Sequence, residues 1–421
     1  MQQNISPLAD LDTWVIDSPL IVLVLFGTAF LTAWVLVRTV PTIGRTVATV
    51  EATRHQSIDG LRGCLGIAVF IHHVVITWYV IHGDGWIPPR SRFVDQLGST
   101  SVALFFMITA FLFWGRVLSR GSAIDWPEFL VSRIYRLYPV YLLTFAIIVV
   151  LVIVLTWPRR PESAASQIEP VVQWLLMFRA PDLNGLPNTR LLAAGVLWSL
   201  RYEWLFYLSL PFLGLVAGRS RQPLPALLSA MAAVLLVYWA ALNEPFDKGT
   251  LFSFAGGIIA AHWVRRPRLV EIGRSSIVGV TAVAALLVTM VCFPTAFHWE
   301  GTILLSVFFV AVASGQSLFG LLRQPALLLL GDITYGVYLL HGLPLWAIFQ
   351  RLMPREAVAH WPVFLFTAAA TAVLVVLLAT VVFLTIERPA ILMGRRHYRW
   401  LSGSMSAVRA HGWRGSRLPR P

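Results

Sequence analysis

The chain has 421 residues, of which 57% are hydrophobic and only 13% charged, about half the charged content of an ordinary soluble domain. Its +13 net charge comes from 33 Lys and Arg against 20 Asp and Glu, yet no soluble module interleaves basic with aromatic residues, so nucleic-acid binding is excluded. Cys64 and Cys292 are the only cysteines and supply neither a disulfide framework nor a thiolate metal set.

In chain order, residues 1–19 form a short segment with Asp10, Asp12 and Asp17. An acidic lead of this kind is the reverse of the basic region that opens a signal peptide, so the following run is expected to stay as a helix. Apolar runs then follow at 20–37, 63–82, 101–118, 139–157, 196–217, 225–242, 250–264, 277–293, 301–318, 335–350 and 362–386. They leave no room for a soluble domain. The predicted fold is an all-α integral membrane protein with about 11 transmembrane helices. The runs 250–264 and 335–350 are shorter than the roughly 20 residues of a straight crossing, and are expected to be short or broken helices lining a cavity. The segment 391–421 reads as a basic cytoplasmic tail at an anionic lipid surface. Placing 38–62 inside puts 23 basic residues on the inner side and nine on the outer. By the retention of Arg and Lys in cytoplasmic loops, the N-terminus is then outside and the C-terminus inside.

The second run carries polar residues that its surroundings do not suit. An α-helix turns about 100° and rises about 1.5 Å per residue, so Arg62 and His73 differ by only about 20° in direction and about 16 Å in height. Asp59 lies one turn below Arg62 on the same side, and Gly66 leaves space between them. Arg62 at the inner boundary puts His73 near the middle of the membrane, where ionisable groups face a polar interior and are candidates for function. A neutral imidazole there can serve as a general base; the alternative is a histidine bonded to a neighbouring helix. His72 points about 100° away and reads as structural. Arg62 is an anion holder or a tether, and Asp59 its partner.

Further along, Arg133 and Arg136 in "RIYRLYPVY" stand one turn apart, as anchors at the interface or as paired contacts to a multiply charged anion. Ser199 and Glu203 in "LWSLRYEWLFY" share a face, where the carboxylate can orient a hydroxyl, accept a proton or pair with an arginine. "GDITYGVYLLHGLPL" places Tyr338 and His341 one turn apart, His341 being a second intramembrane histidine with either a site or a structural role. "TIERPA" reads as a helix terminus at the inner surface. The chain lacks a phosphate loop, an HExxH, a GxSxG and a CxxC, and the adjacent His72 and His73 have the wrong spacing for two zinc ligands on one face. No metal or bound cofactor is expected.

Taken together, these segments resemble the type 3 acyltransferases, integral membrane O-acyltransferases that include O-antigen and polysaccharide O-acetyltransferases. "SIDGLRGCLGIAVFIHH" is similar to the family's opening motif of a basic residue, ten residues and a histidine, which falls here on Arg62 and His73. "FFMITAFLFWGR", "RIYRLYPVY", "LWSLRYEWLFY", "YGVYLLHGLPL" and "IERP" resemble further family segments in the family's order. Thr109 and Ala110 stand where the family usually has Ser and Gly, and Arg201 replaces a small polar residue.

The resemblance spans about residues 57–390 and implies a ten-helix acyltransferase core preceded by one extra N-terminal helix at 20–37. It implies an acyl-CoA donor, usually acetyl-CoA, on the cytosolic side, and a carbohydrate or glycolipid hydroxyl as acceptor at the outer face of a bacterial inner membrane. His73 becomes the catalytic histidine with Arg62 its motif partner and Glu203 a further site residue. Arg133 and Arg136 become the CoA phosphate contacts, with Asp59, Ser199, Tyr338 and His341 in substrate or supporting roles. With no soluble domain after the core, transfer is expected to be completed by this chain or by a separate partner. The competing expectation is a polysaccharide or lipid transporter whose buried polar groups line a pathway.

Overall fold

The computed structural model describes residues 7–51, 55–158, 162–394 and 396–399, and among these the regular structure is helical, with no strand. Residues 1–6, Arg395 and 400–421, which belong to the expected outer segment and basic tail, lie outside the described residues, as do Arg54, Arg159 and Arg160 of the charge count.

The helices are α1 (Pro7–Ile16), α2 (Pro19–Thr39), α3 (Pro41–Glu51), α4 (Gln56–His82), α5 (Arg92–Arg120), α6 (Trp126–Thr156), α7 (Ile168–Leu175), α8 (Trp198–Val216) and α9 (Pro223–Asn243). They continue with α10 (Lys248–Trp263), α11 (Pro267–Arg274), α12 (Ser276–Cys292), α13 (Trp299–Ala313), α14 (Pro325–Asp332), α15 (Thr334–Leu340), α16 (Gly342–Ala347), α17 (Arg355–Val358) and α18 (Trp361–Val382). Several starts carry the expected chemistry. Ser18 caps α2 with Pro19 in its first turn, Asp125 caps α6, Asp247 caps α10 and Ser275 caps α12, each side chain accepting from a backbone N–H that has no partner inside its helix.

Six of these helices are long and apolar enough to cross a membrane, or eight if the bent pairs α11–α12 and α14–α15 each count as one span. The expected number of about 11 is not reached on those criteria. Helices α10 and α13 have 16 and 15 residues, which at about 1.5 Å per residue fall short of a hydrocarbon core about 30 Å thick. Helix α8 carries Arg201 and Glu203 in its first half.

Burial sorts the spans into layers. In their most apolar windows, α4 is 72% and α5 is 78% buried, against 22% for α2 and 22% for α9. Helices α4 and α5 therefore form the protein-enclosed centre, and their polar residues face neighbours. Helix α9 presents Val234, Leu235 and Tyr238 outward, as a lipid-facing surface does.

The run expected to break at 335–350 is broken. Helices α14 and α15 meet at a 56° bend, α15 gives way to α16 at His341, and a π-helical turn follows at Ile348–Leu352. Buried surroundings permit this, because freed backbone groups at that depth need protein partners. The bent pair and the turn Leu321–Arg323 before it pack on α4 through glycines. A Cβ on Gly60 would lie 1.8 Å from the Leu322 carbonyl oxygen, one on Gly63 2.5 Å from that of Leu327, and one on Gly66 3.1 Å from Thr334. The space expected beside Gly66 is thus filled by a helix, with small residues admitting close backbone approach.

Candidate functional site

The polar side chains of α4, α5, α6, α8 and α15 meet around two adjoining cavities. The first, of about 300 Å³, is lined by Arg62 of α4, Thr109 of α5, Arg133 and Arg136 of α6, Ser199 and Glu203 of α8, and Tyr335 and Tyr338 of α15. The second, of about 270 Å³, is lined by His72, His73, Asp95, Ser99 and Trp198, and by Pro294, Thr295 and Phe297 of the α12–α13 connection. Val102 and Tyr338 line both. A third cavity, of about 280 Å³, shares Arg133, Arg136 and Ile391 with the first and adds Arg116, Arg120, Asp125 and Glu128. The order is therefore a basic end, an arginine-lined middle and a histidine-lined end.

The stripe of Asp59, Arg62 and His73 is divided by this geometry. Arg62 opens on the first cavity and His73 on the second. Asp59 lines neither. Its carboxylate sits 3.4 Å from the Arg62 guanidinium, so it holds that arginine's orientation.

His73 is held at one ring nitrogen. Its Nδ1 lies 2.9 Å from the Val69 carbonyl oxygen and 3.2 Å from Nε2 of His341, whose own Nδ1 lies 2.9 Å from the Val337 carbonyl. A carbonyl oxygen only accepts, so each Nδ1 carries the hydrogen and, in the neutral rings, each Nε2 keeps its lone pair. The His73 Nδ1–H is directed to both Val69 O and His341 Nε2, leaving His73 Nε2 as the basic nitrogen. His341 is fully buried and lines neither of these two cavities, so its contact with them runs through His73.

His72 is not remote, as its angular offset suggested. Its ring centroid is 5.1 Å from that of His73, and it lines the same cavity with Nδ1 3.4 Å from the Val94 carbonyl and 4.0 Å from Asp95. Helix α5 packs against this side of α4, and Gly98 makes the room, since a Cβ there would lie 3.0 Å from the His72 ring.

Glu203 lies in the first cavity, apart from the histidines. The Thr109 hydroxyl donates to its Oε1 at 3.0 Å and the Tyr207 hydroxyl to its Oε2 at 3.4 Å. Thr109 thus performs a bonding role a serine could share, while Ala110 packs against Gly257, where a Cβ would come within 2.7 Å of it. Arg201 points elsewhere. It bonds the Glu244 backbone oxygen at 2.9 Å and carboxylate at 3.3 Å, beside Arg179, tying α8 to the α9–α10 connection.

The two arginines of α6 differ. Arg133 stacks over the rings of Phe113 at 4.6 Å, Phe129 at 6.0 Å and Tyr207 at 6.0 Å, favourable contacts for a planar cation. Arg136 is ion-paired to Glu387, a fully buried residue in a π-helical turn at Phe383–Glu387. Instead of simply ending a helix, the "TIERPA" segment supplies the counter-charge of Arg136. Ser199 and Tyr338 are joined as well. The Tyr338 hydroxyl donates to the Val196 carbonyl at 2.9 Å, and the Ser199 hydroxyl lies 2.8 Å from it.

Sequence reasoning missed Arg116 and Arg120 of the basic end, the Thr109 and Tyr207 partners of Glu203, and Glu387. Arg116 closes the quoted "FFMITAFLFWGR" segment, and its i, i+4 spacing to Arg120 was the available signal. Tyr207 stands one turn beyond Glu203 in the quoted "LWSLRYEWLFY" segment, so its i, i+4 spacing was a signal too, whereas Thr109 and Glu387 are remote in sequence from Glu203 and Arg136 and left no local trace. Among the described residues, no group of three or more His, Cys, Asp or Glu is placed to hold a metal ion.

A multi-pass helical protein with charged groups enclosed at its centre is the class that fold and site define. The chain matches the type 3 family model described as an acyltransferase domain over residues 55–383, and it belongs to that family of membrane acyltransferases. It is 25% identical over 372 residues to nodulation protein 10 of Rhizobium leguminosarum bv. viciae, covering 80% of this chain and 93% of that protein. It is 23% identical over 306 residues to the exopolysaccharide production protein ExoZ of Rhizobium meliloti (strain 1021), covering 71% and 91%. Similarity to the acyltransferase MdmB of Streptomyces mycarofaciens is 28% over 163 residues, spanning 38% of this chain and 39% of that one. No solved structure matches the chain significantly.

Proposed function

We propose that the protein transfers an acyl group, acetyl in the simplest case, from cytosolic acyl-CoA to a hydroxyl of a cell-surface carbohydrate or glycolipid in a bacterial inner membrane. The observation that carries this reading is His73, its Nδ1–H held by Val69 and His341, facing a cavity that adjoins an arginine-lined one. Similarity to proteins named for exopolysaccharide production and nodulation supports the acceptor class. Counting α8 and the short helices α10 and α13 as crossings gives eleven spans, with the N-terminus outside and the C-terminus cytoplasmic. The basic end then faces the cytosol and the end with Pro294, Thr295 and Phe297 faces outward.

In this scheme Arg116, Arg120 and Arg133 attract the CoA phosphates, while Arg136, neutralised by Glu387, shapes the wall between them and the thioester. Glu203, held by Thr109 and Tyr207, accepts a hydrogen bond from a pantetheine amide. Arg62 steadies the thioester end. His73 Nε2 takes the proton of the acceptor hydroxyl as its oxygen bonds the acyl carbonyl carbon. The carbon–sulfur bond then breaks, the CoA sulfur receives the proton, and ester and free CoA leave. Transfer is direct, without an acyl-enzyme.

The test uses purified protein in liposomes with labelled acetyl-CoA and the bacterium's own surface glycan fraction. Label on the glycan in wild type, lost in His73→Ala and substantially kept in His72→Ala at equal protein levels, is the expected result. Glycan crossing the bilayer without donor consumption favours the transporter, and equal loss in the two variants overturns the assignment of the base.

A further inference from the structure

We propose that Val102 and Tyr338, the two side chains that line both main cavities, form the partition at which the acyl group is presented, and that their bulk sets which acyl chains the enzyme accepts. The inference rests on the acyl-transfer reading above and adds to it the residues that measure the donor.

The argument is one of segregation. The arginines suited to a phosphate-bearing donor line the first and third cavities and are absent from the second; the histidines line the second and are absent from the first. Bond formation brings the carbonyl carbon of one substrate against the oxygen of the other. With the donor in one cavity and the base in the other, the reacting atoms meet at the shared wall.

That wall is held in place. The phenol of Tyr338 is tied to the Val196 carbonyl and to Ser199 at its oxygen, and its ring meets Phe105 edge to face, with centroids 6.3 Å apart. Val102 is buried on α5, the most enclosed of the six long apolar helices. The alkyl part of the acyl group is attached directly to the reacting carbon, so it must lie against these side chains. Hydrophobic pockets discriminate one methylene by about 10- to 200-fold when the wall is well packed.

Competing acetyl-, propionyl- and butyryl-CoA in the liposome assay test this. Val102→Ala and Tyr338→Leu are expected to raise the butyryl-to-acetyl ratio of kcat/KM about tenfold or more, and Val102→Leu, which adds bulk at the same point, to lower the propionyl-to-acetyl ratio. Ratios within twofold of wild type in all three variants, with wild type active and His73→Ala inactive, overturn the partition and leave the acyl-transfer reading intact. A wild type that consumes no acyl-CoA overturns that reading itself.

Discussion

In the proposed scheme, removing the imidazole of His341 separates the base from the group that positions it. His341 contributes one hydrogen bond to His73 at 3.2 Å, while the Val69 carbonyl holds the same Nδ1–H at 2.9 Å. The tautomer of His73 therefore survives in His341→Ala, and only ring orientation is loosened. A net hydrogen bond of about 0.5–1.5 kcal/mol corresponds to a fall of roughly 2- to 12-fold in kcat, against roughly 10²- to 10⁴-fold for loss of the base in His73→Ala. Because His341 lines neither main cavity, the KM for acetyl-CoA should stay within twofold. His341→Gln, whose amide oxygen can accept the same hydrogen, should recover much of the loss. The assay is label transfer from acetyl-CoA, with thermal unfolding in detergent to confirm folded protein, since alanine leaves a void at a fully buried site. A loss in His341→Ala as large as in His73→Ala, with folded protein and no recovery in His341→Gln, refutes the positioning role and makes the two histidines equal participants.

Three other outcomes follow. Arg133→Ala should raise the KM for acetyl-CoA by about 10-fold or more, the worth of one hydrogen bond to a charged group at about 1.5–3 kcal/mol, with a smaller change in kcat; an unchanged KM removes Arg133 from the donor site. Glu387→Ala strands a buried guanidinium, which costs about 3–5 kcal/mol, so the thermal midpoint should drop sharply and recover when Arg136→Leu is added to Glu387→Leu; a single variant as stable as wild type shows the pair to be idle. Asp17, between α1 and α2, is held above the ordinary carboxylate range by burial, against the opposing effect of the Ser91 N–H, the Tyr79 hydroxyl and Arg90. The folded protein thus binds this proton more tightly than the unfolded chain, so its contribution to stability falls as pH rises from about 4 through the raised value. Asp17→Asn should flatten that part of the pH–stability profile, and identical slopes in variant and wild type count against it.

What the sequence by itself determined is local and periodic. Hydropathy established a helical membrane protein, because a span is recognised from its own residues. The 3.6-residue period placed Arg62 and His73 on one side of α4, and short apolar runs marked the break near His341. The order of the polar segments was enough to show the family. Only the tertiary structure decided how these parts divide the work. Gly63 and Gly66 admit α14 and α15 against α4, and Gly60 the turn before α14, and Tyr338 of α15 with Val102 of α5 then stands where the Arg62 and His73 cavities adjoin. His72, assigned to another face, is turned into the same cavity because Gly98 of α5 leaves room for its ring. Glu387 becomes the partner of Arg136 across more than half the chain. Such partners are chosen by helices crossing at distances the sequence does not encode locally: a residue's own position sets the side of its helix, whereas which neighbour arrives there depends on the packing of the whole bundle.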